Sequence, residues 1–183
     1  MRAIPYLLGC LGALWVVLAP QVCMADTLQD FEFTDLLTGT RHQTAQYRGY
    51  EMVLMFGSMY CGPCKALLPV LHAFAADNRE RMIVVLSVDL DSSSEAGKVL
   101  AYYREHGLSL PVFLDQERQL SRRYKVYMLP SLMFVGADGT VHSVLRGPKP
   151  RRVVDRELAQ VRDRARLRSV AQPPPCREPD GEE

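Results

Sequence analysis

The sequence predicts an α/β fold in one domain, a central mixed sheet flanked by helices, and three observations carry that prediction. Two apolar runs, residues 52–56 (MVLMF) and 82–88 (MIVVLSV), read as strands buried on both faces of a sheet. Each is followed by apolar residues at helical spacing, which gives the strand and helix alternation of a layered fold. Residues 127–147 (YMLPSLMFVGADGTVHSVLRG) read as two strands joined by a turn at Asp138 and Gly139, and this hairpin sets antiparallel strands beside the parallel pair. A chain of 183 residues with 48% hydrophobic content has room for one core of ordinary size and short appendages. Its formal charge of +1, from 22 basic and 21 acidic residues, gives no field to draw a polyanion, so no nucleic-acid partner is expected.

The first 25 residues differ from the rest: one charge at Arg2, an apolar run at 3–19, then PQVCMAD. Cys23 and Ala25 stand three and one positions before a cut ahead of Asp26, the small residues a secretory signal peptide carries there. The expected organisation is a signal peptide at 1–25, a folded domain at 26–170 and a proline-rich, charged, disordered tail at 171–183. The expected location is the periplasm. Left uncut, the apolar run reaches the length that would anchor the chain in the inner membrane, facing the periplasm.

Within the domain, residues 27–51 alternate short apolar runs with turn residues, and Thr38-Gly39-Thr40 predicts a hairpin turn. Strand 52–56 leads into YCGPCK. From Cys64 onward Leu67, Leu68, Leu71, Phe74 and Ala75 recur at helical spacing, with Gly62 and Pro63 where a helix begins. Pro69 lies inside that helix, removes one backbone hydrogen bond and is expected to bend it. After strand 82–88 come a polar loop, a cap at Ser93 or Ser94, a helix with Val99, Leu100 and Tyr103 on one side, and a stop at Gly107. Residues 108–115 are expected to be extended and 116–126 to form a short helix. The last helix, from about Arg151 to Arg168, has Val154, Leu158, Val161 and Ala165 as its apolar stripe. Its seven arginines against three acids read as a solvated face.

Of five cysteines, Cys10 and Cys23 would leave with the signal, Cys176 stands alone in the tail, and Cys61 and Cys64 form a close pair. Three in the mature chain do not make a disulfide framework. Zinc would need four ligands, and His42, His72, His106 and His142 are scattered, so no metal site is expected. A purely structural bridge over so short a loop returns little stability. The junction of strand and helix fits a dithiol better: a cysteine at a helix N-terminus has its thiolate stabilised by the dipole and by free backbone N–H groups. Cys61 is that residue, the expected nucleophile. Cys64, one turn inside and less exposed, is suited to attack a mixed disulfide and release the product. Gly62 and Pro63 keep the loop tight.

YCGPCK after an apolar strand, Pro69 five residues past the second cysteine, and YMLPSLMFVGADGTV much later together resemble the thioredoxin superfamily, in element order over roughly residues 31–168. The exported chain, the lead-in at 38–56 and the inserted segment at 89–115 look like its TlpA/ResA branch, which carries an N-terminal hairpin and a central insertion and includes the thioredoxins of cytochrome c maturation. The resemblance implies a thioredoxin fold and, as sole redox group, a redox-active disulfide between Cys61 and Cys64 with no other cofactor. It implies that Pro130 is a cis-proline facing the cysteines and that Leu129 before it offers its backbone to an extended substrate segment. Tyr60, Gly62, Pro63, Leu129 and Pro130 are thereby expected to bind substrate.

Against that family the sequence departs at several positions. Tyr60 replaces the usual tryptophan before the first cysteine, and Gly57 stands where a second aromatic is common, implying a less bulky rim. Met55 and Leu67 occupy the two positions where relatives carry an acidic side chain near the buried thiol, so no dedicated carboxylate is evident from them. Proton transfer is left to water or Lys65, itself read as a solvated helix residue. Tyr102, Tyr103, Tyr124 and Tyr127 read as packing, with Tyr127 close enough to the proline loop to line a substrate groove. His72 reads as a polar helix position. The expected function is an exported thiol-disulfide oxidoreductase, mainly a protein-disulfide reductase. Its expected partners are protein disulfide substrates and a membrane electron donor of thiol-disulfide type, with the chain a monomer. The alternatives are a periplasmic disulfide oxidase or isomerase, and a Cu(I)-handling thiol module.

Overall fold

A segment apolar at every position needs strand partners on both edges and cover on both faces. Residues 52–56 get both. In the computed structural model the described residues are 27–171; the expected signal peptide at 1–25 and the tail beyond 171, with Cys10, Cys23 and Cys176, lie outside them. The chain runs β1 (Glu32–Thr34), β2 (Arg41–Gln43), β3 (Glu51–Gly57), α1 (Gly62–Asp77), β4 (Ile83–Asp89), α2 (Ala96–Glu105), β5 (Val112–Leu114), α3 (Gln119–Arg123), β6 (Ser131–Val135), β7 (Val141–Arg146) and α4 (Arg151–Ala171). Strands β1 and β2 form a small antiparallel ribbon, and the other five form a sheet ordered β5-β4-β3-β6-β7. In it β3 is parallel to β4 and antiparallel to β6, which gives the mixed sheet expected of the α/β class.

Alternate residues of β3 serve two cores. Val53 and Met55 pack in a cluster with Leu68 and Phe74 of α1, Tyr103 of α2 and Leu158 of α4. Met52, Leu54 and Phe56 enter a second cluster on the opposite face, with Phe33 of β1, Phe113 of β5 and Tyr124 after α3. Helices α1, α2 and α4 thus cover one face, and the hairpin with the α3 region covers the other. α4 is latched at both ends of its described contacts: Arg151 reaches Asp77 at the end of α1 at 2.6 Å, and Arg162 holds Glu51, the first residue of β3, through two nitrogens at 2.6–2.9 Å. These two arginines are paired, where the sequence reading had a solvated face.

Pro69 sits inside α1 as expected and has no N–H to give the carbonyl of Lys65. The Tyr102 hydroxyl of α2 donates to that carbonyl at 3.4 Å, so the proline's missing bond becomes a tie between two helices. Three local expectations are corrected. Neither Ser93 nor Ser94 caps α2: they lie in a 3-10 turn, Ser93–Glu95, and the helix starts after Glu95 with no side-chain cap. The extended stretch 108–115 contributes only Val112–Leu114 to the sheet, because Leu108 and Leu110 turn into the core and Pro111 has no N–H for the ladder. The helix expected at 116–126 shortens to Gln119–Arg123, since Glu117, Arg118 and Lys125 adopt left-handed backbone angles (φ 57°, 55° and 53°).

Candidate active site

The site is built where β3 stops. Gly57, its last residue, has no side chain, and a Cβ placed there would lie 3.1 Å from Met55 Cε, 3.5 Å from Cys64 Cβ and 3.8 Å from Cys64 Sγ. The missing side chain lets the first turn of α1 dock against the strand end. Gly57 therefore faces the interior side of the cysteine pair, a different place from the rim that its sequence position implied.

Cys61 is the N-cap of α1, and its Sγ accepts the Cys64 N–H at 3.2 Å. The Cys61 carbonyl takes the Lys65 N–H at 3.1 Å. A sulfur in this position receives the positive end of the helix dipole and a backbone donor, the two influences that stabilise a thiolate. Cys61 and Cys64 are joined in a disulfide. Cys64 is fully buried and Cys61 half-buried, while Gly62 and Pro63 are exposed. The pair thus has one sulfur within reach of solvent and one without.

Sequence reasoning missed the residues that hold this loop. Asp91, just past β4, accepts the Ser58 hydroxyl at 2.6 Å through Oδ1 and the Met59 N–H at 2.7 Å through Oδ2. Ser58 Oγ in turn accepts the Tyr60 N–H at 3.1 Å. Asp89, the last residue of β4, is the parallel register partner of Gly57 and is 2% exposed. Burial pushes its carboxyl up to about 7; the Asp91 N–H bond opposes the shift and the Asp91 charge adds to it. The only sequence signal for either residue is the acidic pattern DLD directly after an apolar strand.

Tyr60 is exposed, but its hydroxyl is fixed. It donates to Glu95 Oε2 at 2.7 Å and accepts from Lys98 Nζ at 3.0 Å, while Lys98 and Glu95 pair at 2.8 Å. The hydrogen bond to Lys98 lowers the Glu95 carboxyl below its ordinary value, and the bond to Glu95 raises the Lys98 ammonium. The residue before the first cysteine is thereby tied to the inserted segment. Lys65 is half-buried with its ammonium 5.6 Å from the Tyr102 ring centre. His72 bonds to Ser109 Oγ at 2.9 Å.

The Leu129-Pro130 bond is cis. β6 pairs with β3 as far as Ser131 opposite Phe56, so Pro130 continues that strand at the level of Gly57. Pro130 is buried and its carbonyl accepts the Gly147 N–H at 2.7 Å; Leu129 is half-buried. The proline and the cysteine pair thus belong to the same end of the sheet. Tyr127 and Met128 before it are exposed, at 78% and 54%, and with Tyr60 at 69% they put apolar surface at this end. Of the other tyrosines, Tyr103 and Tyr124 are packing residues as expected. Among the described residues no cluster of three or more His, Cys, Asp or Glu could hold a metal ion, and no helix is long and apolar enough to cross a membrane.

Comparison with known proteins gives three kinds of match. The AhpC/TSA family model matches residues 24–144. A thiol-disulfide oxidoreductase ResA of Geobacillus kaustophilus is 25% identical over 141 residues, covering 77% of this chain and 79% of that protein. Among solved structures, a thiol:disulfide interchange protein of the thioredoxin family from Chlorobium tepidum superposes with a TM-score of 0.66 at 19% identity, over 75% of this chain and 96% of its own. A secreted Mycobacterium tuberculosis disulfide oxidoreductase homologous to E. coli DsbE gives 0.61 at 22% identity, over 71% and 95%. The fold is that of thioredoxin, with the small β1–β2 ribbon placed before it.

Proposed function

The chain belongs to the AhpC/TSA family, and from that premise we propose that it is an exported thiol-disulfide oxidoreductase acting mainly as a reductant of protein disulfides. The observation that carries the reading is the asymmetry of the pair: Cys61 caps a helix within reach of solvent, and Cys64 is sealed behind it. In the reduced protein Cys61, as thiolate, attacks one sulfur of a client disulfide and expels the other as thiolate. Cys64 then attacks Cys61 Sγ, the mixed disulfide breaks, and the client leaves with both sulfurs reduced while the enzyme keeps the Cys61–Cys64 disulfide. The cis bond at Pro130 and the surface formed by Tyr60, Tyr127 and Met128 support docking of an extended client segment along Leu129, with Gly62 and Pro63 at the exposed edge. Similarity to a secreted disulfide oxidoreductase supports work outside the cytoplasm, and in this reading a membrane thiol-disulfide donor returns the electrons.

The direction of electron flow is tested by the reduction potential of a chain lacking residues 1–25 and carrying Cys176→Ser, equilibrated against glutathione or dithiothreitol buffers. A value near the roughly −270 mV of thioredoxin is expected. One near the roughly −120 mV of strong periplasmic oxidants would make disulfide formation the function instead.

A further inference from the structure

A carboxyl buried at a strand end is costly unless it is protonated or well bonded. Asp89 is such a group: its Oδ1 accepts the Asp91 N–H at 2.9 Å. Among the described residues the ionisable groups that act on it are acidic. Asp91 follows it on the loop, Asp115 after β5 donates its N–H to the Asp89 carbonyl at 2.8 Å, and Asp89 and Asp35 both act on the Tyr103 phenol of α2. Among the described residues Asp89 therefore has no ion-pair partner.

Its position suggests another task. Register partners on adjacent strands lie about 5 Å apart with side chains on one face. Asp89 partners Gly57, and the alternation of β4 puts Asp89 on the face of Val85, in the core that also holds Cys64. At Gly57 the chain has no side chain to interpose, and the Cβ it lacks would touch Cys64 Sγ at 3.8 Å. The Gly57 position thus lies beside the sulfur and in register with Asp89, with Met55 Cε packed 3.1 Å from the same point.

The geometry points to Asp89 as the group that takes the proton of the Cys64 thiol in the second exchange step, an inference that rests on the dithiol reading above. Cys64 is 0% exposed, and burial holds a thiol in its protonated form, so it must lose a proton before it can attack. Asp89 as carboxylate accepts that proton. The Cys64 thiolate forms a bond to Cys61 Sγ, the bond from Cys61 to the client sulfur breaks, and the client leaves as thiolate. The two enzyme sulfurs are oxidised and the two client sulfurs reduced, two electrons in all. Water then protonates the client thiolate and receives the proton from Asp89. A carboxyl that burial has moved to about 7 is matched to this exchange at neutral pH.

The test uses the full chain with Cys10, Cys23 and Cys176 changed to serine, mixed in reduced form with a fluorescent peptide disulfide over a range of pH. Formation of the mixed disulfide is timed in a Cys64→Ser background and its resolution in the protein with both cysteines. Asp89→Asn is expected to slow resolution by about tenfold or more and to erase an inflection near neutral pH, with the slowing confined to that step. Asp89→Glu is expected to restore the inflection. Unchanged resolution, or equal slowing of both steps, would overturn the role of Asp89. If instead Cys61→Ser still reduced the peptide, the dithiol reading itself would fall. Should Asp89→Asn not fold, the Asp89 carboxyl resonance of the parent protein decides: reduced protein is expected to show an extra inflection where Cys64 ionises, and identical titrations in both redox states would overturn the proposal.

Discussion

Asp91 Oδ2 accepts the Met59 backbone N–H at 2.7 Å, so a carboxylate beyond the end of β4 fixes the loop that delivers Cys61. With Ser58 on its other oxygen, Asp91 satisfies two donors of a half-buried loop. Asp91→Ala strips both of their acceptor at once. The expected cost is about 2–3 kcal/mol of stability, with a change in the rate at which Cys61 is alkylated in the reduced protein. Denaturation midpoints and alkylation rates check it, and unchanged values in both would show that the loop holds itself.

The raised carboxyl of Asp89 makes stability depend on pH. Its folded-state pKa of about 7 lies above the ordinary 3.8, so between those values the folded protein binds the proton that the unfolded chain has lost. Stability of the oxidised protein therefore falls as pH rises from about 4 to about 7 and levels off above. The full swing corresponds to at most about 4 kcal/mol. Asp89→Asn is expected to flatten the slope and to leave the protein more stable on the alkaline side. Urea denaturation of both proteins on either side of the window measures it, and parallel pH profiles would contradict the assignment.

The bond from the Tyr102 hydroxyl to the Lys65 carbonyl depends on Pro69 being unable to donate there. Tyr102→Phe is expected to cost about 1 kcal/mol in the natural chain. In a Pro69→Ala background, where residue 69 regains its N–H, the same change should cost close to nothing. A double-mutant cycle by chemical denaturation gives the coupling; additive costs would mean that the hydroxyl contributes nothing at Lys65.

Burial orders the two cysteines. Cys64→Ser is expected to leave a solvent-reachable Cys61 that accumulates as a stable adduct with client disulfides, whereas Cys61→Ser is expected to abolish turnover and form no adduct. Mass spectrometry of each variant after incubation with a peptide disulfide distinguishes them. An adduct on Cys64 would invert the roles.

The sequence reading located the parts of this site that lie close together along the chain. An unbroken apolar strand, then CGPC, then a helical repeat is legible because strand, cap and helix are local events, and Pro130 stood out within its own hairpin motif. Asp89 and Asp91 were not legible, because what they do depends on parallel register: Asp89 matters through Gly57, a residue from another strand, and DLD alone looks like the polar start of a loop. The departures at Met55 and Leu67 said nothing of a carboxyl on the neighbouring strand. The Ser93 and Ser94 cap failed for a similar reason, since a 3-10 turn takes up the serines before the helix starts. The role of Tyr102 was hidden until α1 and α2 were in contact.

The pairing of β3 with β6 joins Phe56 to Ser131 across most of the domain, and Arg162 reaches Glu51 from farther still. A chain synthesised from its amino end thus presents Cys61 and Cys64 long before the strand that brings Pro130 beside them has emerged. Until then the two thiols belong to an unsealed chain, open to whatever oxidant or wrong partner is at hand. The late arrival of β6 makes its pairing with β3 the event that turns a pair of reactive cysteines into a site with an inside and an outside.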